Sequence, residues 1–122
     1  MRYELVLLDW RPPSLNTVRG RHWSRERKAK AAMAGALGAA KLAAGVPDLD
    51  ALRARVRLSV HVTYAGRERE MDEDNLTGKL LRDSLKLAHL IVDDSPDWLV
   101  TGEVTQARGE RTATRVVLEV LR

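Results

Sequence analysis

The chain predicts a small α+β domain in which two helices pack on a mixed sheet of about four strands, in the order β-α-β-α-β-β. Three observations predict it. Residues 54–64 alternate apolar and polar side chains with a period of two. Residues 75–89 repeat apolar side chains every three to four positions. Two further alternating runs follow residue 97, separated near Gly109.

Taken in order, residues 2–9 read as a strand with Tyr3, Leu5 and Leu7 on one face and Val6 and Leu8 on the other, which predicts burial on both faces. Pro12-Pro13 stops it, and Pro12 to Trp23 reads as a loop. Ser24 can cap a helix with Glu26 in its first turn; Ala-rich sequence carries that helix to about Ala44, where Gly45 and Pro47 end it. In the next strand Ala54, Val56, Leu58, Val60, Val62 and Tyr64 face one way and Arg55, Arg57, Ser59, His61 and Thr63 the other. Residues 65–73 form a charged link. A helix then runs from about Asn75 to His89, with Leu76, Leu80, Leu81, Leu85 and Ala88 as its apolar stripe. A turn through Asp93-Asp94-Ser95-Pro96 leads to a strand at 98–107. Gly109 suits a hairpin turn into a last strand at 112–121, where Val116, Leu118 and Val120 alternate with Arg115 and Glu119. At 122 residues, with no repeat and no linker composition, 1–122 reads as a single domain.

Hydrophobic residues make up 44% of the chain, yet it has no Phe, three Trp and two Tyr, so the core is aliphatic. The absence of Cys excludes disulfides, thiolate metal sites and a Cys nucleophile. No secretory leader is legible, and no apolar run approaches the roughly 18 residues of a membrane span, so a soluble, cytoplasmic protein with no membrane partner is expected. Charge is unevenly distributed. Between Arg11 and Lys41 the chain carries Arg11, Arg19, Arg21, His22, Arg25, Arg27, Lys28, Lys30 and Lys41 against the single acid Glu26. From Glu68 to Asp97 the acids gather: Glu68, Glu70, Asp72, Glu73, Asp74, Asp83, Asp93, Asp94 and Asp97. A basic arm beside an acidic pocket suits an anionic substrate held at its phosphates and cut at a cation site; two solvated faces give the same pattern.

Asp72 and Asp74 stand two apart where a loop enters a helix, so in extended backbone they share a side while Glu73 points elsewhere. Asp93-Asp94 lies beyond the other end of the same helix. Mg²⁺ takes hard oxygen ligands at about 2.1 Å, few of them carboxylates, and keeps positions for water and phosphate. Three aspartates from two loops meet that demand and would polarise a scissile phosphate. Equally, Asp74 can cap the helix and Asp93-Asp94-Ser95-Pro96 can be an ordinary turn. Lys79 either pairs with Asp83 on the surface, four residues on, or points to the helix start to stabilise charge on a phosphate.

Together these residues resemble the RusA family of Holliday junction resolvases. Pro12-Pro13-Ser14-Leu15-Asn16 is similar to that family's Pro-Ser-x-Asn signature, Asp72-Glu73-Asp74-Asn75-Leu76 to its Asp-x-Asp-Asn metal motif, and Ile91-Val92-Asp93-Asp94-Ser95 to its hydrophobic-Asp-Asp element. The resemblance spans nearly the whole chain in element order. It implies Mg²⁺, with Mn²⁺ as a substitute, held by Asp72, Asp74 and Asp94, and Lys79 as the catalytic lysine. It also implies a homodimer making paired symmetric nicks in four-way DNA during recombination and repair. There is one departure. The family lysine lies four residues after the second motif aspartate, and Lys79 lies five after Asp74. An extra residue near Thr77-Gly78 accounts for this and brings Asp94 rather than Asp93 into register; a helix regular from Asn75 would rotate Lys79 away.

The basic arm supplies the expected DNA contacts: Arg19, Arg21, Arg25 and Lys28 at phosphates, and Trp23 either stacked on a base or anchoring the loop in the core. Asn16 either organises the loop or touches DNA. His22, His61 and His89 need no catalytic role. Alternatives to a junction-resolving endonuclease are a branched-DNA-binding protein on the same fold that does not cut, a nuclease for RNA or flap DNA, and an interaction protein with acidic loops.

Overall fold

The computed structural model describes residues 1–13, 23–67, 70 and 76–121, the side chains of 23–25 excepted. In chain order the elements are β1 (Arg2–Leu8), α1 (Trp23–Ala44), a 3-10 turn (Leu49–Leu52), β2 (Arg55–Ala65), α2 (Lys79–Leu87), β3 (Leu99–Gly109) and β4 (Ala113–Leu121). The strands form one mixed sheet in the order β1-β4-β2-β3, so the fold is α+β. β4 runs antiparallel to both β1 and β2, and β2 runs parallel to β3. Parallel neighbours need a crossover, and α2 supplies it. Among the described residues no helix is long and apolar enough to cross a membrane.

The alternating strand at 54–64 is where its pattern put it. Val56, Leu58, Val60, Val62 and Tyr64 are all buried, and they meet Leu5 and Leu7 of β1 and Val116, Leu118 and Val120 of β4 in one core. The full stripe expected on the second helix, Leu76, Leu80, Leu81, Leu85 and Ala88, joins that core. α1 contributes Met33 and Leu37, one turn apart and fully covered, with Ala29, Ala36 and Ala40 beside them. α1 ends as Gly45 suggested. Gly45 has φ +69, its N–H donates to the Leu42 carbonyl, and the Val46 N–H donates to the Lys41 carbonyl. That pair of bonds closes the helix with a left-handed glycine, a conformation that costs a side-chain-bearing residue about 1 kcal/mol or more.

Two expectations are corrected. β1 is buried on one face: Val6 is 52% exposed and Leu8 56%, because no described helix covers the outer face of the sheet. That face is held by cross-strand polar pairs, Glu4 with Arg115, Arg57 with Glu119 and His61 with Thr105. Second, β3 and β4 are not a hairpin. β2 lies between them, and Glu110-Arg111-Thr112 steps across its end, where the Thr112 hydroxyl accepts the Ala65 N–H at 3.1 Å. Gly109 is needed for close approach rather than for a turn, since a Cβ there would stand 2.5 Å from the Thr63 methyl group. The step is pinned from the other side by Asp9, whose carboxylate takes both ends of the Arg111 fork at 2.9 and 2.7 Å.

Candidate functional site

The second helix does not run regularly from Asn75. The backbone bends at Thr77-Gly78, and α2 starts at Lys79 with Gly78 in extended conformation (φ −75, ψ −174). Gly78 makes no side-chain cap, and the first turn of α2 holds no acidic residue. Among the described residues, the positive end of α2 therefore has no neutralising carboxylate in its own first turn. Around this start lies a cleft of about 400 Å³ lined by Thr77, Gly78, Lys79, Arg82 and Asp94. The structure thus brings Lys79 and Asp94 to one cleft.

The neighbouring acids have different surroundings. Asp93 meets the Lys86 ammonium at 3.0 Å; that ammonium and the Asp94 N–H hold its carboxyl below the usual 3.8, and the pair raises Lys86 in turn. Asp94 is half-buried and faces the cleft, and neither it nor Lys79 forms a salt bridge with another described residue. The surface pair open to Lys79 is not made, because Asp83 meets Lys30 of α1 at 3.0 Å. That contact, with the Ser84 hydroxyl donating to the Leu80 carbonyl at 2.8 Å and lying 3.3 Å from the Lys30 carbonyl, sets the basic half of α1 against α2. Lys28 is exposed two residues from Lys30.

Asp72, Asp74, Asn16, Arg19 and Arg21 lie outside the described residues, as do the side chains of Trp23 and Arg25. For a divalent cation, the described part of the cleft offers one carboxylate, Asp94, beside the Lys79 ammonium, whose charge suits a phosphate; the Arg82 guanidinium is engaged with Thr77 and Thr101. Among the described residues no group of three or more His, Asp or Glu is arranged to hold a metal. Asp94 is the donor type that Mg²⁺ takes; Asp72 and Asp74, the other two expected ligands, lie outside the described residues.

Neither the models of known protein families nor the curated proteins return a match to this chain.

Arg82 is the functional candidate that the motifs did not single out. It sits three residues after Lys79, one turn along the same helix face, so its presence beside Lys79 was legible from helical spacing alone. Its guanidinium donates from Nε to the Thr77 carbonyl at 2.8 Å and from Nη2 to the Thr101 hydroxyl at 3.3 Å. His61 bonds Thr105 on the outer sheet face, and His89 meets Asp50 at the far end of α2; neither lines the cleft.

Proposed function

We propose that this protein is a Mg²⁺-dependent, structure-selective endonuclease that nicks four-way DNA junctions, with Asp72, Asp74 and Asp94 holding the metal and Lys79 acting on the phosphate. The observation that carries the reading is the break at Thr77-Gly78, which starts α2 at Lys79 and turns that residue into the cleft that Asp94 lines. A bend at this point supports the reading of the one-residue offset between Asp74 and Lys79 as a local irregularity.

In this reading bound Mg²⁺ supplies polarisation of the phosphate ester and activation of a water molecule. The chain supplies the rest. Asp94 is the carboxylate ligand on the sheet side, while Asp93 stays committed to Lys86. Lys79 places an ammonium beside the non-bridging or leaving oxygen, where fixed charge stabilises the transition state. The helix start adds N–H dipoles of the same sign. The basic half of α1, Lys28 among its exposed residues, holds flanking phosphates, with Arg19, Arg21, Trp23, Arg25 and Asn16 extending that surface. Paired nicks require two equal sites, so the active form is a two-fold homodimer. The location that goes with this work is the cytoplasm, where DNA is handled.

A labelled synthetic four-way junction with Mg²⁺ tests the proposal. Symmetric nicks that leave 5′-phosphate ends and vanish in Asp74→Asn and Asp94→Asn support it. Junction binding without nicks favours a non-cutting binding protein, and preference for RNA or flap DNA redirects the substrate. Absence of affinity for any nucleic acid at low salt removes the reading altogether.

A further inference from the structure

We infer that Arg82 is the positioning residue of the cleft: it fixes the Thr77-Gly78 break and so determines where Lys79 stands relative to Asp94. The role in catalysis rests on the nuclease reading; the role in holding the break does not.

Arg82 ties down both residues of the break at once. Its backbone N–H donates to the Gly78 carbonyl at 3.1 Å, and its side chain folds back so that Nε donates to the Thr77 carbonyl at 2.8 Å. In an uninterrupted helix the Thr77 carbonyl would accept the Leu81 N–H, so the guanidinium takes over a bond that the break removes from the helix ladder. The other end of the fork reaches the sheet through Thr101 of β3. Arginine suits this task because its donors are carried in one rigid plane, whereas lysine carries its three donors on one point at the end of a flexible stem.

Thr101 is itself placed by an irregularity. The β2–β3 register shifts between Leu58 and Val60, which pair with Thr101 and Val104, so two residues of β3 oppose Ser59. The Glu103 N–H donates to the Ser59 hydroxyl at 3.1 Å, and a Cβ on Gly102 would stand 2.5 Å from that same oxygen. The extra residue flips the alternation of β3. Leu99 and Thr101 lie on the helix side before it; afterwards Val104 packs on the core and Gln106 accepts the Tyr64 hydroxyl at 2.7 Å. A chain of contacts, Ser59 to the bulge to Thr101 to Arg82, therefore ends at Thr77, two residues before Lys79.

Three variants of the full chain test this: Arg82→Met, Arg82→Lys and Thr101→Val. Each is read by single-turnover cleavage of a labelled junction, junction affinity, and amide hydrogen exchange. Expected are a cleavage rate lowered about tenfold or more in Arg82→Met, since small misplacements of reacting groups cost up to about a hundredfold. Thr101→Val should lose less in the same direction, and Arg82→Lys should recover little. Affinity should stay within about twofold, and exchange should accelerate across residues 77–83 but not across the last turn of α2. The inference is overturned if Arg82→Met weakens binding and reduces its salt slope by about one phosphate while Thr101→Val matches the unaltered protein; Arg82 would then contact DNA directly. If the unaltered protein makes no nicks, the nuclease reading fails by itself. Exchange then decides: acceleration across 77–83 in both Arg82→Met and Thr101→Val upholds the positioning role, and unchanged exchange removes it.

Discussion

The two ends of α2 are built oppositely. At the C-terminal end every charge is answered by another part of the chain. Lys41 donates to the Ala88 carbonyl at 3.1 Å and pairs with Asp48, Lys86 pairs with Asp93, and His89 meets Asp50 at 2.9 Å. Grooves of about 470 Å³ flank this end, larger than the cleft at the other, yet the charges lining them are already engaged within the protein. At the N-terminal end the helix starts abruptly after a bend, and Lys79 and Asp94 line a smaller cleft with no salt bridge to another described residue. Cleft size and unpaired charge therefore favour different ends, and the proposed function follows the charge. The difference between the two ends is whether the charged groups that line each cleft pair with one another.

Substitutions at the two ends should separate cutting from folding. The largest effect is expected from Asp94→Asn, which should lower junction cleavage by at least about a hundredfold, the scale for losing one group that acts on transition-state charge. Its neighbour Asp93→Asn should leave cleavage within about threefold, because an exposed ion pair contributes little. Lys79→Met should follow Asp94→Asn in single-turnover rate while junction affinity changes by no more than one phosphate contact. At the other end, Lys41→Met removes a charged donor from the Ala88 carbonyl. It should cost about 2 kcal/mol, or roughly 5–10 °C in Tm by calorimetry, with cleavage at 20 °C unchanged.

The smallest effect is a pH dependence of stability. Arg111 holds Asp9, Lys41 holds Asp48 and Lys86 holds Asp93 below the ordinary carboxyl value of 3.8. A depressed native value means that these pairs stabilise fully above about pH 5 and progressively less as pH falls through 3.8 towards the lowered values. Melting curves between pH 6 and 2.5 should show this loss, and Asp93→Asn should make it shallower.

Much of this contrast was legible from residues. The stripe Leu76, Leu80, Leu81, Leu85, Ala88 and the alternation of β2 are local periodicities, and the core they form follows from them. The resemblance left open an extra residue near Thr77-Gly78 or a helix regular from Asn75, and the backbone bends at Thr77-Gly78. Other features depend on contacts distant in sequence. A glycine between two alternating strands looks the same whether the strands pair or not, so the placement of β2 between β3 and β4 could not be read from Gly109. Val6 and Leu8 look like core residues until the sheet is seen to carry helices on one face. Asp93 and Asp94 are adjacent in sequence, and which of them makes the ion pair with Lys86 is seen only in the fold. Arg82 was within reach of helical spacing from Lys79, but its bond to Thr101 depends on a bulge that no motif announces.

The most direct measurement is the paramagnetic broadening of backbone amide signals on titration with Mn²⁺ in place of Mg²⁺. Selective broadening at Thr77, Gly78, Lys79 and Asp94, retained in Asp93→Asn and lost in Asp94→Asn, is the expected result. Broadening confined to residues 86–90, or identical in Asp94→Asn and the unaltered protein, would contradict a cation site at the start of α2.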